Sequence, residues 1–138
     1  VTGRTAMLDQ SGLEILSRDE CLTLLATGRV GRIVFTAGGL PAVEPVKFVC
    51  ERGALWFPAQ TGTDLLGAAE DGVVAFEADE FDAGLSGGWW VTVLGRAVVA
   101  EGCDLPRRRP DLSWPEFAED AQCVRLPIEV VSGRRVKR

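Results

Sequence analysis

The run Val30-Gly31-Arg32-Ile33-Val34-Phe35-Thr36-Ala37 is followed by Gly38-Gly39-Leu40-Pro41, by Ala42 to Cys50, by Glu51-Arg52-Gly53 and by Ala54-Leu55-Trp56-Phe57. Three stretches rich in β-branched and aromatic side chains, separated by two short Gly-bearing turns, read as three antiparallel strands in a row. Upstream, Ser17-Arg18-Asp19-Glu20 has the form of a capping box and predicts a helix that buries Cys21, Leu22, Leu24 and Leu25 and stops at Gly28. Downstream, Gly62 to Glu70 reads as a short helix capped by Thr61 or Thr63, and Val73 to Ala78 as a further strand. Trp89 to Glu101 reads as one long strand, bent or bulged at Gly95. Residues 102–115 read as loop, Ser113-Trp114-Pro115-Glu116 as a helix start, and Cys123 to Val131 as a closing strand before Ser132-Gly133 and a basic end. The sum is about six or seven strands with two or three short helices, a mainly β, mainly antiparallel barrel in one domain.

Composition excludes several kinds of chemistry. The 138 residues hold no His and no Tyr, which removes Ser-His-Asp and Cys-His catalysis and His-ligated metals or haem. The four cysteines (Cys21, Cys50, Cys103 and Cys123) form no C-x-x-C pair, so no zinc site is expected and reduced thiols are the expectation. An enzyme built from this sequence would draw its reactivity from carboxylates, thiols, Lys47 or a bound cofactor, and a cofactor is the natural source. No apolar run reaches the roughly 20 residues of a membrane span, and Val1 to Arg4 has no secretory apolar core, so a cytoplasmic location is expected.

Charge is uneven along the chain. Residues 1–104 carry 7 basic and 15 acidic side chains, and residues 105–138 carry 8 basic and 5 acidic. The runs Arg107-Arg108-Arg109 and Arg134 to Arg138 invite a nucleic-acid reading, but the net charge is −5 and no aromatic–basic interleaving accompanies them. No nucleic-acid partner is expected, and the basic runs read as a solvated loop and tail.

Five pieces stand in a fixed order: Gly28-Arg29-Val30-Gly31-Arg32, Pro45-Val46-Lys47-Phe48, Gly62-Thr63-Asp64-Leu65, Val74-Ala75-Phe76-Glu77-Ala78-Asp79, and Gly88-Trp89 with Gly95-Arg96-Ala97. In this order the chain resembles the pyridoxamine 5′-phosphate oxidase-like flavin-binding proteins, the FMN-binding split β-barrels, over roughly residues 14–136. The resemblance implies a six-stranded antiparallel split β-barrel, with residues 1–13 a flexible N-terminal arm. It also implies a homodimer with cofactor sites at the subunit interface, holding FMN or a deazaflavin for oxidoreductase chemistry. The positions carried over to cofactor binding are Pro45, Val46, Lys47 and Phe48, then Phe57, Pro58 and Ala59, then Gly62, Thr63, Asp64 and Leu65, and finally Trp90.

One part of the pattern departs. In such proteins an Arg-Thr pair at a strand end and a Lys after the Gly-Thr hold the cofactor phosphate, and those places fall here at Pro58, Ala59 and Asp64. The turn is shaped like an anion cradle, yet no Lys or Arg lies between Gly53 and Trp90. Losing two charge-assisted contacts and gaining a like charge weakens FMN by several kcal/mol, on the order of a thousandfold. Two readings therefore stay open: a flavin or deazaflavin oxidoreductase with an altered phosphate site, or a homodimer that has lost the flavin and binds another ligand or partner. Lys47 is either a cofactor contact or a solvated strand lysine. Trp90 either stacks on a planar ligand or packs against protein. The carboxylates Glu77, Asp79, Glu80 and Asp82 read as a solvated acidic rim, with Arg96 as partner to one of them.

Overall fold

The computed structural model describes residues 6–70, 72–101, 103–112 and 121–136. Helix α1 spans Arg18–Thr27, and the capping box is formed in both directions: Glu20 N–H donates to the Ser17 hydroxyl, and Ser17 N–H donates to the Glu20 carboxylate at 2.8 Å. Cys21 and Leu25 are its buried residues, while Leu22 and Leu24 are half-buried against the same core. Strands β3 (Val30–Ala37) and β4 (Leu40–Lys47) form the expected hairpin, with Gly38 and Gly39 both at positive φ.

The long runs predicted from sequence are each cut in two. Ala42 to Cys50 is divided at Phe48 into the end of β4 and β5 (Val49–Glu51). Trp89 to Glu101 becomes β8 (Gly88–Arg96) and β9 (Val98–Ala100), broken at Ala97 rather than at Gly95. The closing strand becomes β10 (Ala121–Pro127) and β11 (Val130–Val136), so Ser132 and Gly133 lie inside a strand rather than ending one. The other elements are β1 (Met7–Leu8), β2 (Glu14–Ile15), β6 (Ala54–Gln60), α2 (Asp64–Ala69), β7 (Val73–Phe81), α3 (Leu105–Arg108) and a 3₁₀ turn at Pro110–Leu112. The last two fall in the stretch expected to be loop, and the helix start expected at Ser113 lies outside the described residues.

These strands make two antiparallel sheets and no closed barrel. One sheet runs β1-β2-β11-β8-β7-β3-β4 and the other β5-β6-β10-β9. The chain crosses between sheets at Phe48, Ala97 and Ile128, which are 1%, 1% and 4% exposed. At each corner the buried residue's N–H makes one further rung in the register of the strand pair it leaves: Phe48 donates to the Arg29 carbonyl (3.0 Å), Ala97 to that of Gly72 (2.9 Å) and Ile128 to that of Gly53 (3.0 Å). An apolar side chain turned inward with its amide satisfied makes a corner at no unpaired-donor cost. Between the sheets lie Ile33, Phe35, Phe76, Val91 and Val93 from one side and Leu55, Phe57, Val124 and Leu126 from the other, with α2 adding Leu65, Leu66 and Ala69.

Two expectations are corrected by pairing. Cys103 and Cys123 are joined in a disulfide rather than reduced, while Cys21 and Cys50 are free thiols. The register explains it: Cys123 on β10 lies across from Ala100 on β9, three residues before Cys103. Residues 134–136 of the basic end are strand because β11 pairs with β8, from Val130 opposite Leu94 to Val136 opposite Gly88, and with β2 at Arg134 and Arg135; Arg134 also meets Asp9 at 2.9 Å and Arg135 meets Glu14 at 3.4 Å. No helix among the described residues is long and apolar enough to cross a membrane.

Gly31 is the tightest point of the large sheet. A Cβ there would overlap the Phe76 ring and lie 2.9 Å from the Glu77 carbonyl oxygen. Gly31→Ala is therefore expected to destabilise the fold by about 3 kcal/mol, read as a lower urea midpoint with unchanged m-value.

Candidate functional site

Strand β4 is the free edge of the large sheet, a position that tolerates its Pro41 and Pro45 because no second partner requires their N–H groups. Strand β5 covers β6 only from Ala54 to Trp56, so residues 57–60 of β6 are unpaired on that side. The two open edges border a cavity of about 270 Å³. Pro45, Val46 and Lys47 wall it from β4, Pro58 from β6, and Thr63 and Leu65 from the start of α2. Glu44 and Gln60 complete the lining.

Six of the twelve positions expected at the cofactor thus meet around one space. Phe48, Phe57 and Ala59 do not line it; they face the core and are 1%, 0% and 4% exposed. Strand alternation explains this, since Pro58 and Gln60 point away from the side that Phe57 and Ala59 fill. Gly62 supplies the turn with φ of 88°. Thr63 caps α2, its hydroxyl accepting from Leu66 N–H and donating to the Gln60 carbonyl at 2.7 Å. Asp64 is the first helical residue and is exposed, where a carboxylate favours the helix dipole. Glu44 and Gln60 were not expected; each adjoins a motif residue, but only the approach of two strand edges reveals them.

Trp90 stands apart, on the outer face of β8, across from Asp79 on β7 and Arg134 on β11. Its ring lies 6.4 Å from that of Phe81. The same outer face carries a second group. Arg32 on β3 donates through one Nη to Glu77 Oε1 and Asp79 Oδ2, both at 3.2 Å. Arg32, not Arg96, is thus the arginine bonded to both carboxylates; Arg96 lies across from Val73 at the other end of the strand pair. Asp82 is instead spent locally, accepting from the Ser86 N–H and hydroxyl within the β7–β8 turn.

Comparison with known proteins gives a consistent neighbourhood. A family model described as pyridoxamine 5′-phosphate oxidase matches residues 17–135. An uncharacterised protein of Mycobacterium tuberculosis is 35% identical over 136 residues, covering 92% of this chain and 89% of its own length. Among solved structures, an FAD-binding protein from Mycobacterium smegmatis is 31% identical with a TM-score of 0.70, covering 91% of this chain and 99% of that one. An FAD-binding protein from Mesorhizobium loti is 25% identical with a TM-score of 0.72, at 91% and 99% coverage.

The carboxylate group has a pH consequence of its own. Partial burial, and then the hydrogen bond and charge of Asp79, push the Glu77 carboxyl up to about 7 despite the opposing pull of Arg32. A proton held more tightly in the folded state stabilises it, so this contribution is full below pH 4.5 and is lost as pH rises toward 7. Glu77→Gln mimics the protonated form. It is expected to match the parent near pH 4.5 and exceed it at pH 8 by about 1 kcal/mol, a value already discounted for solvent screening. Urea unfolding at both pH values measures the difference, and parallel curves would exclude a shared proton.

Proposed function

The chain belongs to the pyridoxamine 5′-phosphate oxidase family, and from that premise we propose that it binds a flavin at the β4–β6 cavity and acts as a homodimeric oxidoreductase. The observation that carries this reading is the convergence of Pro45, Val46, Pro58 and Leu65 on one largely apolar space with Lys47 at its wall. Apolar walls with few polar groups suit a planar ring system. The flavin, when bound, supplies the redox chemistry that a chain without His or Tyr lacks. Pro45, Val46, Pro58 and Leu65 would enclose the ring, and Lys47 would meet its polar edge or its phosphates.

The phosphate end separates the candidate flavins. A phosphate monoester such as that of FMN carries about −1.5 to −2 at neutral pH on one group. The α2 turn offers it no cation, and Asp64 adds a carboxylate. FAD carries a pyrophosphate of two singly charged phosphoryl groups with an adenosine beyond, and a deazaflavin whose phosphate is a diester likewise carries no doubly charged group. The relatives from M. smegmatis and M. loti are both described as FAD-binding. FAD is therefore the proposed cofactor ahead of FMN, with a deazaflavin as the alternative flavin.

A second copy would complete the site within a six-stranded split-barrel dimer. At about 270 Å³ the cavity falls short of the roughly 300–1,000 Å³ of ordinary ligand pockets. The outer face of the large sheet exposes Val30, Val43, Val73, Leu94 and Val130, more apolar surface than scattered single residues leave. Leu94→Asp, at the middle of that face, is expected to halve the mass measured by light scattering.

The cofactor test is spectroscopic and thermal. FAD at 100 times its dissociation constant should stabilise the protein by about 2.7 kcal/mol and show a flavin spectrum. FMN should bind more weakly, and Asp64→Lys with Pro58→Arg should raise FMN affinity tenfold or more. A protein that neither FAD, FMN nor a deazaflavin stabilises would leave the other reading, a family member that has lost its flavin and holds a different ligand.

A further inference from the structure

A second buried cluster lies on the outer face of the small sheet and shares a wall with the cavity. It comprises Leu105, Leu112 and Cys123, packed against Val49, Trp56, Ala100 and Cys103. Among the described residues, Leu105 and Leu112 are the buried apolar attachment of α3 and the 3₁₀ turn. The surface ion pairs Arg108–Glu51 (2.8 Å) and Arg108–Asp104 (3.0 Å) add little, as exposed pairs generally do. The covalent tie is the disulfide, which links Cys103 at the start of the segment to Cys123 on β10, 20 residues on.

The disulfide end of this segment adjoins the cavity wall. Cys123 lies directly across from Pro58 in the β6–β10 ladder, and Pro58 is cavity wall. At the far end Asp111 is held to about 2, first by its hydrogen bond to Arg109, with the charge of Lys47 on the opposite wall contributing. The two sulfurs differ in access. Cys123 is 2% exposed, whereas Cys103 lines a separate opening of about 190 Å³ flanked by Arg52, Trp56 and Arg108.

We propose that the Cys103–Cys123 disulfide is a redox latch, opened by a small thiol entering at Cys103, whose state sets the order of the cavity wall at Pro58. A thiolate attacks Cys103 Sγ and forms a mixed disulfide; the S–S bond breaks and its electron pair leaves on Cys123 Sγ, which takes up a proton. A second thiol then releases Cys103 as a thiol. In sum two thiols are oxidised to one disulfide, and the protein gains two electrons and two protons. Opening releases the covalent tie of the segment 103–112 to β10, leaving, among the described residues, Leu105 and Leu112 as its buried apolar anchors. The consequence for a cofactor rests on the flavin reading; the latch itself does not.

The test compares the whole protein before and after dithiothreitol. Alkylation in denaturant without reductant should mark two cysteines, Cys21 and Cys50, and all four after reduction; four beforehand would overturn the proposal. Amide exchange, measured without flavin, should rise tenfold or more on reduction at residues 105–112 and at Ala59 and Gln60, with β3 and β7 unchanged. Unchanged exchange at 105–112 would overturn the latch, and unchanged exchange at Ala59 and Gln60 its hold on the cavity. The Cys103→Ala, Cys123→Ala double variant should show the reduced pattern in the absence of reductant. FAD affinity should fall tenfold or more on reduction. Equal affinity in both states would overturn control of the cofactor, whereas no FAD binding in either state, with exchange rising as expected, would sink the flavin reading and leave the latch standing.

Discussion

Three corner residues hold the two sheets in register. At Phe48, Ala97 and Ile128 the chain passes from one sheet to the other, and each buried side chain is matched by an amide bonded to the carbonyl that extends the strand pair just left by one rung. The first corner constrains the most. The Phe48 ring meets Phe76 edge-on at 4.8 Å between centroids, and both rings need room on the neighbouring strand. A Cβ at Gly28 would lie 2.8 Å from the Phe48 ring, and one at Gly31 would overlap Phe76. The Gly-Arg-Val-Gly-Arg motif is therefore the steric counterpart of two phenylalanines placed 20 and 45 residues downstream of its glycines. Its position fixes where β4 ends, and with it the edge that borders the cavity.

Local chemistry in the sequence was a good guide where the structure is decided locally. The Ser17/Glu20 box, the Gly38-Gly39 turn, the Arg52-Gly53 turn and the Thr63 cap all act within four residues, and each forms as read. The corners were hidden for a physical reason: a residue that turns inward between sheets is apolar, like its strand neighbours, so the hydrophobic run continues through the break. Ala42 to Cys50 has no Gly at the point where it divides. Pairings between distant segments were hidden too. The disulfide depends on the β9–β10 register, and the strand at Val130–Val136 on its pairing with β8.

The candidate site was half legible. The motif positions Pro45 to Lys47 and the turn from Pro58 to Leu65 do meet, but alternation sends Phe48, Phe57 and Ala59 to the core. Ala59 thus departs from the family pattern at a position whose side chain is already used in packing. The departures that bear on an anion are Pro58, which faces the cavity, and Asp64, which stands exposed at the helix start.

Among the described residues, arginines of the two basic runs are committed to carboxylates away from Asp64. Arg134 and Arg135 are held by Asp9, Glu14 and Glu20, Arg108 by Glu51 and Asp104, and Arg109 by Asp111. What reads in sequence as two solvated basic runs is in part a set of counter-charges for an acidic body, used to tie down an edge hairpin and a short helical segment. Each exposed pair contributes about 0–1 kcal/mol, but together they commit four guanidinium groups away from the cavity. The field at the α2 turn is then set by Asp64 and the cap, with Lys47 on the facing wall. On the flavin reading proposed above, such a site would select against charge concentrated on one terminal phosphate and accept charge that is divided between two phosphoryl groups or carried out to solvent.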